Sequence, residues 1–318
     1  QLNLVEYAYS LYTPKEIIEE FIRKGVKYDS IINELLIYES LGGSKEIIEL
    51  LIKNGANVNN EIDYNFPLLE SVRNDSKDIT ELLIKNGANV NKINENETTA
   101  LIEASKYGNL DIVKLLLKYK ANINIQNNSG ESPLISAISN NNKEIVELLI
   151  KNGANVNMQT EVDSNNISKY VDYSIYIENE IPLASAQSID IAQLLLENGA
   201  NVNARTNTGY TPLMLNNENL DIVKLMIERG VDINSTNDLG NTALMYVKNK
   251  EVAELLIKSG AKVNIKNINT TNIFTLVDLA ISTSKIKSNI NLTKKYDPSI
   301  PEFKLDATTK TITLPTGL

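Results

Sequence analysis

The eleven residues ELLIKNGANVN occur three times, at 49–59, 81–91 and 147–157. A segment copied this closely has to meet the same surroundings each time, so the fold must be periodic. The Gly of the Asn-Gly-Ala step marks the period. The anchors fall at Gly25, Gly55, Gly87, Lys120 (in the Gly slot), Gly153, Gly199, Gly230 and Gly260. Their spacings are 30, 32, 33, 33, 46, 31 and 30, which describes an array of units near 33 residues with one insertion of 13.

Each unit reads as two helices. KEIIELLIKNG (45–55) places Ile47, Ile48, Leu51 and Ile52 on one helical face. The Gly after the last turn suits a left-handed cap, where a Cβ is costly. An Asn-rich turn follows, and then a helix start such as SPLISAIS (132–139) or TPLM (211–214). There Thr or Ser caps, Pro takes the first helical position, and Leu and Ala point inward. Two such short helices cannot bury their faces alone, so neighbouring units must stack.

This pattern resembles the ankyrin repeat family. The match is carried by TALIEASKYGNLDIVKLLLKYKANIN (99–124), SPLISAISNNNKEIVELLIKNGANVN (132–157), TPLMLNNENLDIVKLMIERGVDIN (211–234) and TALMYVKNKEVAELLIKSGAKVN (242–264). It is clear over about 45–265. TPKEIIEEFIRKG (13–25) extends it as a degenerate first repeat, and NTTNIFTLVDLAIS (269–282) as a final half-repeat. The expected fold is an all-α ankyrin solenoid of about eight repeats plus terminal caps, bent into a shallow arc. The domain is expected over 1–290: a cap repeat over 1–44, repeats over 45–265 with the insertion within 158–180, and a half-repeat cap over 266–290. A tail follows over 291–318.

The copies depart from the family pattern in three ways. The family carries His in the fourth place of its Thr-Pro-Leu-His start, where it ties neighbouring repeats by hydrogen bonds. Here that place holds Leu69, Ile102, Ile135, Ala184, Met214 and Met245, so inter-repeat bonding must be of another kind. Second, the later repeats are trimmed. From helix start to the first apolar residue of the second helix, the steps 99 to 112 and 132 to 145 are both 13, whereas 181 to 191, 211 to 222 and 242 to 252 are 10, 11 and 10. The inner helix of the later repeats is therefore expected to be short. Third, the insertion MQTEVDSNNISKYVDYSIYIENE (158–180) sets Tyr170, Tyr173 and Tyr176 among Val171, Ile175 and Ile177. Long loops normally shed apolar residues. Either these tyrosines fold back on their own repeats or they anchor a partner.

At the ends, LNLVEYAYSLYT (2–13) is expected to cover one stacking face. In the tail, Pro298 and Pro301 break helix, and TKTITL (309–314) alternates like a short strand. That strand could lie on the last repeat, add to a partner's sheet or move freely.

Composition removes most catalytic readings. The chain has no His and no Cys, which excludes disulfides, zinc fingers and His- or Cys-based nucleophile machinery. No phosphate-cradling glycine loop or calcium loop is present, and no carboxylate pair stands out. No metal or cofactor is expected. Net charge −9 argues against nucleic acid, although KIKSNINLTKK (285–295) is locally basic. No apolar run reaches the ~20 residues of a membrane helix. The missing cysteines and the start at Gln1 point toward an exported, bacterial-type protein, with a cytoplasmic one as the alternative.

What remains is recognition of a protein partner by a monomer. The resemblance implies contacts from finger loops and inner helices. The finger positions are Ile93, Glu95, Gln126, Asn128, Glu131, Arg205, Asn207, Tyr210, Asp238 and Asn241, and the inner-helix positions are Arg73, Lys106, Tyr107, Ser139 and Asn140. A structural or self-assembling spacer is the second reading, and an acid-based hydrolase a remote third.

Overall fold

The outer-helix stripe seen in the sequence organises the structure. This is a computed structural model, and it describes residues 29–159 and 181–262, Arg23, and the backbone of 304–306 and 311–313. The expected cap at 2–13, all of 13–25 but Arg23, the insertion tyrosines 170, 173 and 176, the half-repeat 269–282 and the basic run 285–295 lie outside these residues. The chain divides into two compact units, Gln1–Asn207 and Thr208–Leu318.

In the first unit the helices come in pairs: α1 (Asp29–Ser40) with α2 (Lys45–Lys53), α3 (Pro67–Arg73) with α4 (Lys77–Lys85), α5 (Ala100–Tyr107) with α6 (Leu110–Lys118), and α7 (Pro133–Ser139) with α8 (Lys143–Lys151). A turn at 182–185 and α9 (Ile189–Glu197) form the last pair. Inner helices α1, α3, α5 and α7 pack side by side, as do outer helices α2, α4, α6, α8 and α9. The predicted stripe is where they meet: Ile47, Ile48 and Leu51 of α2 are buried, as are Ile79, Leu83 and Ile84 of α4 and Ile112, Val113 and Leu116 of α6. Helices α2, α4, α6 and α8 also carry an acid in the first turn and a lysine in the last, charges that complement the helix dipole at both ends.

The second unit repeats the scheme with α10 (Pro212–Leu215), α11 (Leu220–Glu228), a three-residue 3-10 turn at Ala243–Met245 and α12 (Lys250–Lys258). The inner element thus falls from eight residues in α5 to four in α10 and three at Ala243–Met245. That is the outcome of the residues missing from the later copies. Strands β1 (Lys304–Asp306) and β2 (Thr311–Thr313) pair antiparallel, with Leu305 opposite Ile312. The strand expected in TKTITL therefore finds its partner within the tail.

The bonding that replaces histidine comes from asparagine. At four of the turns the Asn four residues after the Gly slot reaches into the next repeat. Asn59 Oδ1 accepts from the Asn89 N–H at 2.7 Å, while its Nδ2 donates to the Gly87 carbonyl at 2.9 Å. Asn124 does the same to Asn155 and Gly153, and Asn157 to Asn201 and Gly199. Asn234 repeats it inside the second unit, onto Lys262 and Gly260. Each of these four side chains thus satisfies two backbone groups that the turn would otherwise leave to water.

The Gly slot shows what the turn demands. Gly55, Gly87 and Gly153 have φ of 95°, 92° and 93°, and Lys120 is forced to 62°. A side chain in the left-handed region costs about 1–2 kcal/mol. Lys120→Gly is expected to raise the stability of the array by about 1 kcal/mol, read as a higher urea midpoint with an unchanged slope. A lower midpoint would show that the lysine side chain contributes more than its strained backbone costs.

Candidate recognition surface

In the first unit the predicted inner-helix residues lie at matching heights on adjacent helices. Arg73, Lys106 and Ser139 occupy the same position of α3, α5 and α7, which pack side by side. Lys106 and Tyr107 are exposed; Tyr107, 57% accessible, ends α5 just before the left-handed Gly108. Asn140 is exposed and its amide is tied to the Ser136 carbonyl at 2.9 Å.

Arg73 behaves otherwise than a free contact residue. Its Nη1 donates to Glu70 at 2.9 Å and Asn65 at 3.3 Å, and its Nη2 and Nε reach Glu103 at 3.0 and 3.2 Å. Burial works against its charge, but the hydrogen bond and charge of Glu103, joined by Glu70, outweigh that and raise its pKa above the ordinary guanidinium value. Both glutamates are buried. Arg73 therefore holds two repeats together as well as lying on the inner face.

The finger loops are rigid at their bases. Ile93, 42% accessible, forms a β-bridge with Thr99. Asn128 donates from its backbone N–H to the Asn96 carbonyl and from its amide to the Glu95 carbonyl. Glu131 is half-buried; its N–H donates to Asn127 Oδ1 at 2.9 Å. Gln126 donates to the Gln159 carbonyl, and Gln159 in turn to that of the exposed Arg205, at 2.8 Å each. This last contact fixes the chain where the tyrosine-bearing insertion departs. Ile181, where the described chain resumes, is buried.

Asn207, the last residue of the first unit, is exposed. In the second unit Asp238 is exposed, and its N–H donates to the Thr208 carbonyl at 3.1 Å. Tyr210 is half-buried rather than a free anchor. Its ring lies 5.5 Å from that of Tyr246, whose hydroxyl donates to Tyr210 Oη at 3.0 Å and accepts from the amides of Asn237 and Asn241. Burial, reinforced by Tyr246, pushes the Tyr210 phenol up to about 12. A raised tyrosine pKa means that the fold favours the neutral phenol. That contribution is complete below pH ~10, where the unfolded phenol is also neutral, and is lost as pH climbs from ~10 toward ~12. Tyr246→Phe is expected to return Tyr210 partway toward 10. The measure is the Tyr210 ring chemical shift followed through an alkaline titration, and a Tyr210 midpoint that Tyr246→Phe leaves unmoved would refute the coupling.

Sequence reasoning missed Tyr64 and Leu239. Tyr64 is 53% accessible at the tip of the Ile62–Asn65 bridge, with φ of 64°. Leu239 is 63% accessible at a loop tip where another copy has Ser129. An apolar residue at a loop tip was the available signal in both. Among the described residues no three His, Cys, Asp or Glu side chains converge as a metal would need, and no helix is long and apolar enough to cross a membrane.

Paired helices in rows, stacked through identical turns and presenting anchored loops, define a helical repeat protein of the interaction-scaffold class. The model of the family described as ankyrin repeats (3 copies) matches residues 68–160 and 182–267, more than half of the chain, and the protein belongs to the ankyrin repeat family. Among solved structures it is similar to the human ASB11 ankyrin repeat domain, at 25% identity and a TM-score of 0.58, covering 72% of this chain and 99% of that one. It is also similar to the ankyrin repeat domain of Bcl-3, a member of the IkappaB protein family, at 23% identity and a TM-score of 0.56, covering 70% and 96%; that likeness speaks for the fold alone. No curated protein sequence matches the chain. Ankyrin repeats are in general protein–protein interaction modules and typically non-enzymatic.

Proposed function

We propose that this chain is a monomeric, non-enzymatic module that binds a protein partner through its inner-helix ends and finger loops, with the insertion around Tyr170, Tyr173 and Tyr176 as a further contact. The distribution of exposed apolar side chains supports this reading. Among the described residues the large exposed hydrophobics are Tyr38, Leu41, Ile62, Tyr64, Ile93, Tyr107, Ile189 and Leu239. All but Ile189 lie on an inner helix, on the turn that follows it, or on a finger loop. Apolar side chains held out of the core by an ordered backbone are the usual anchors of an interface. A preordered array also loses little conformational entropy on docking. Lys106, Glu95, Arg205 and Asp238 would supply the polar rim.

The test compares three proteins of equal helicity in affinity capture: the parent, a Tyr64→Ser/Tyr107→Ser variant, and a Tyr170→Ala/Tyr173→Ala/Tyr176→Ala variant. A partner held by the parent and lost by the first variant places the contact on the inner face. Loss only in the second places it on the insertion. A partner that both variants retain at parental strength would overturn the proposal. Concentration-dependent self-association of the purified chain would instead favour a self-assembling spacer.

A further inference from the structure

The repeated segment carries a chemical liability that the fold handles in a specific way. The chain contains four Asn-Gly steps: Asn54-Gly55, Asn86-Gly87, Asn152-Gly153 and Asn198-Gly199. At such a step the glycine backbone nitrogen can attack the asparagine Cγ. The new N–Cγ bond closes a succinimide ring, the Cγ–Nδ2 bond breaks, and that nitrogen leaves as ammonia with the proton from the glycine amide. Water then opens the ring to aspartate or isoaspartate. Glycine favours the reaction because it has no Cβ to obstruct the approach.

At all four steps both reacting groups are occupied. The glycine N–H donates to the carbonyl three residues before it: Gly55 to Ile52, Gly87 to Ile84 and Gly153 to Ile150 at 3.0 Å each, and Gly199 to Leu196 at 3.2 Å. The asparagine amide donates back to the helix: Asn54 to Leu50, Asn86 to Leu82, Asn152 to Leu148 and Asn198 to Leu194, at 2.8, 2.8, 2.7 and 2.8 Å. Ring closure also needs Cβ and the glycine nitrogen nearly eclipsed about the Cα–C bond. The observed asparagine ψ values of 19°, 16°, 11° and 18° hold them far from that arrangement.

We propose that the four Asn-Gly steps are modification sites held shut by their own helix ends, and that Asn198 opens and converts first. Two observations single out Asn198. Helices α2, α4 and α8 end in Lys53, Lys85 and Lys151, whereas α9 ends in Glu197 with no basic residue in its last turn. A carboxylate there opposes the helix dipole and favours fraying of the turn that protects Asn198. The inner element before α9 is also only a turn, so less structure backs this helix than backs α4 or α8.

The consequence reaches the neighbouring repeat. Gly199 and Asn201 are the two partners of the Asn157 side chain, at 2.9 and 2.7 Å. Isoaspartate at 198 lengthens the backbone by one carbon immediately before that contact. It also removes the amide bonded to Leu194 and adds a second negative charge to the end of α9. Ageing at one residue thus loosens the joint between two repeats.

The intact chain supplies its own control, because Asn54, Asn86 and Asn152 share the same eleven surrounding letters. Their rates must agree in the unfolded chain, so differences in the folded chain come from structure. The chain is incubated in mildly alkaline buffer, folded and in urea, then digested, and each site is resolved by mass spectrometry into Asn, Asp and isoaspartate. Each of the three identical sites is expected to convert at least about tenfold more slowly when folded, and Asn198 several-fold faster than they do after normalisation to its own unfolded rate. Glu197→Lys is expected to bring Asn198 back to the level of the others. Equal folded and unfolded rates would overturn the protection. An Asn198 that does not lead, or that ignores Glu197→Lys, would overturn its assignment as the first to open.

Discussion

Phe66→Ala is expected to lower stability by about 3–5 kcal/mol, the ordinary cost of removing a buried phenylalanine ring. Phe66 is 1% accessible and stands where other copies have Thr99, Ser132, Thr211 and Thr242. It offers no capping oxygen to α3, unlike Thr99, Ser132 and Thr211, each of which accepts from a backbone N–H of its helix. Lys92 Nζ sits 5.3 Å from the ring centroid while donating to the Asn59 carbonyl and pairing with Glu61 at 2.9 Å. The ring therefore supports a lysine that joins two successive finger loops. Phe66→Thr separates cap from volume. It restores a capping hydroxyl worth about 1 kcal/mol but leaves the cavity, so it should recover only a minor part of the loss. Urea unfolding followed by circular dichroism checks both. Because stability in a repeat array is a sum of local and nearest-neighbour contributions, the alanine variant should also unfold in two steps, the Phe66 region first. A variant that unfolds in one step within 1 kcal/mol of the parent would mean that the site collapses around the missing ring.

Much of this architecture was legible in the letters, for a physical reason. A helix that buries one face against copies of itself has to repeat its stripe, its cap and its turn, and Ile47, Ile48, Leu51 and Gly55 record that requirement directly. The shortened inner elements were legible too, because removing two or three residues before a fixed outer helix leaves only the inner helix to absorb the loss. The asparagine clamp was visible as letters but not as a role. Asn59, Asn124, Asn157 and Asn234 sit in a turn rich in asparagine, and only the placement of the next repeat distinguishes the one that bridges from those that close their own turn. Tyr210 shows the same limit. Its hydroxyl meets Tyr246, 36 residues away, and nothing local to GYTP announces that partner. Tyr64 and Leu239 were legible by the rule applied to the insertion, that apolar residues at loop tips call for a reason.

Arg73→Met is expected to cost about 2–3 kcal/mol, and that expectation decides between two roles for one residue. An exposed arginine kept for a partner should be replaceable within about 0.5 kcal/mol. Arg73 instead stands between Glu70 and Glu103, whose side chains are only 8% and 9% accessible, with N···O distances of 2.9 and 3.0 Å. Methionine keeps most of the aliphatic stem and removes only the charge, so the loss measures two carboxylates left buried without a counter-ion. The arginine side chain is itself 31% accessible, which lets water screen part of the loss and sets the figure below that of a fully buried pair. The cycle is completed with Glu70→Gln/Glu103→Gln. In that background there is no orphaned charge, and Arg73→Met should cost under 1 kcal/mol. Equal costs in both backgrounds would mean that the arginine contributes by packing alone. Partner capture with the Gln background, with and without Arg73→Met, adds the functional half: both proteins stay folded, so a partner held by the first and lost by the second was held by Arg73 itself. Retention there, with loss in the single variant, would assign Arg73 to holding α3 and α5 in register so that Lys106 and Tyr107 present one continuous face.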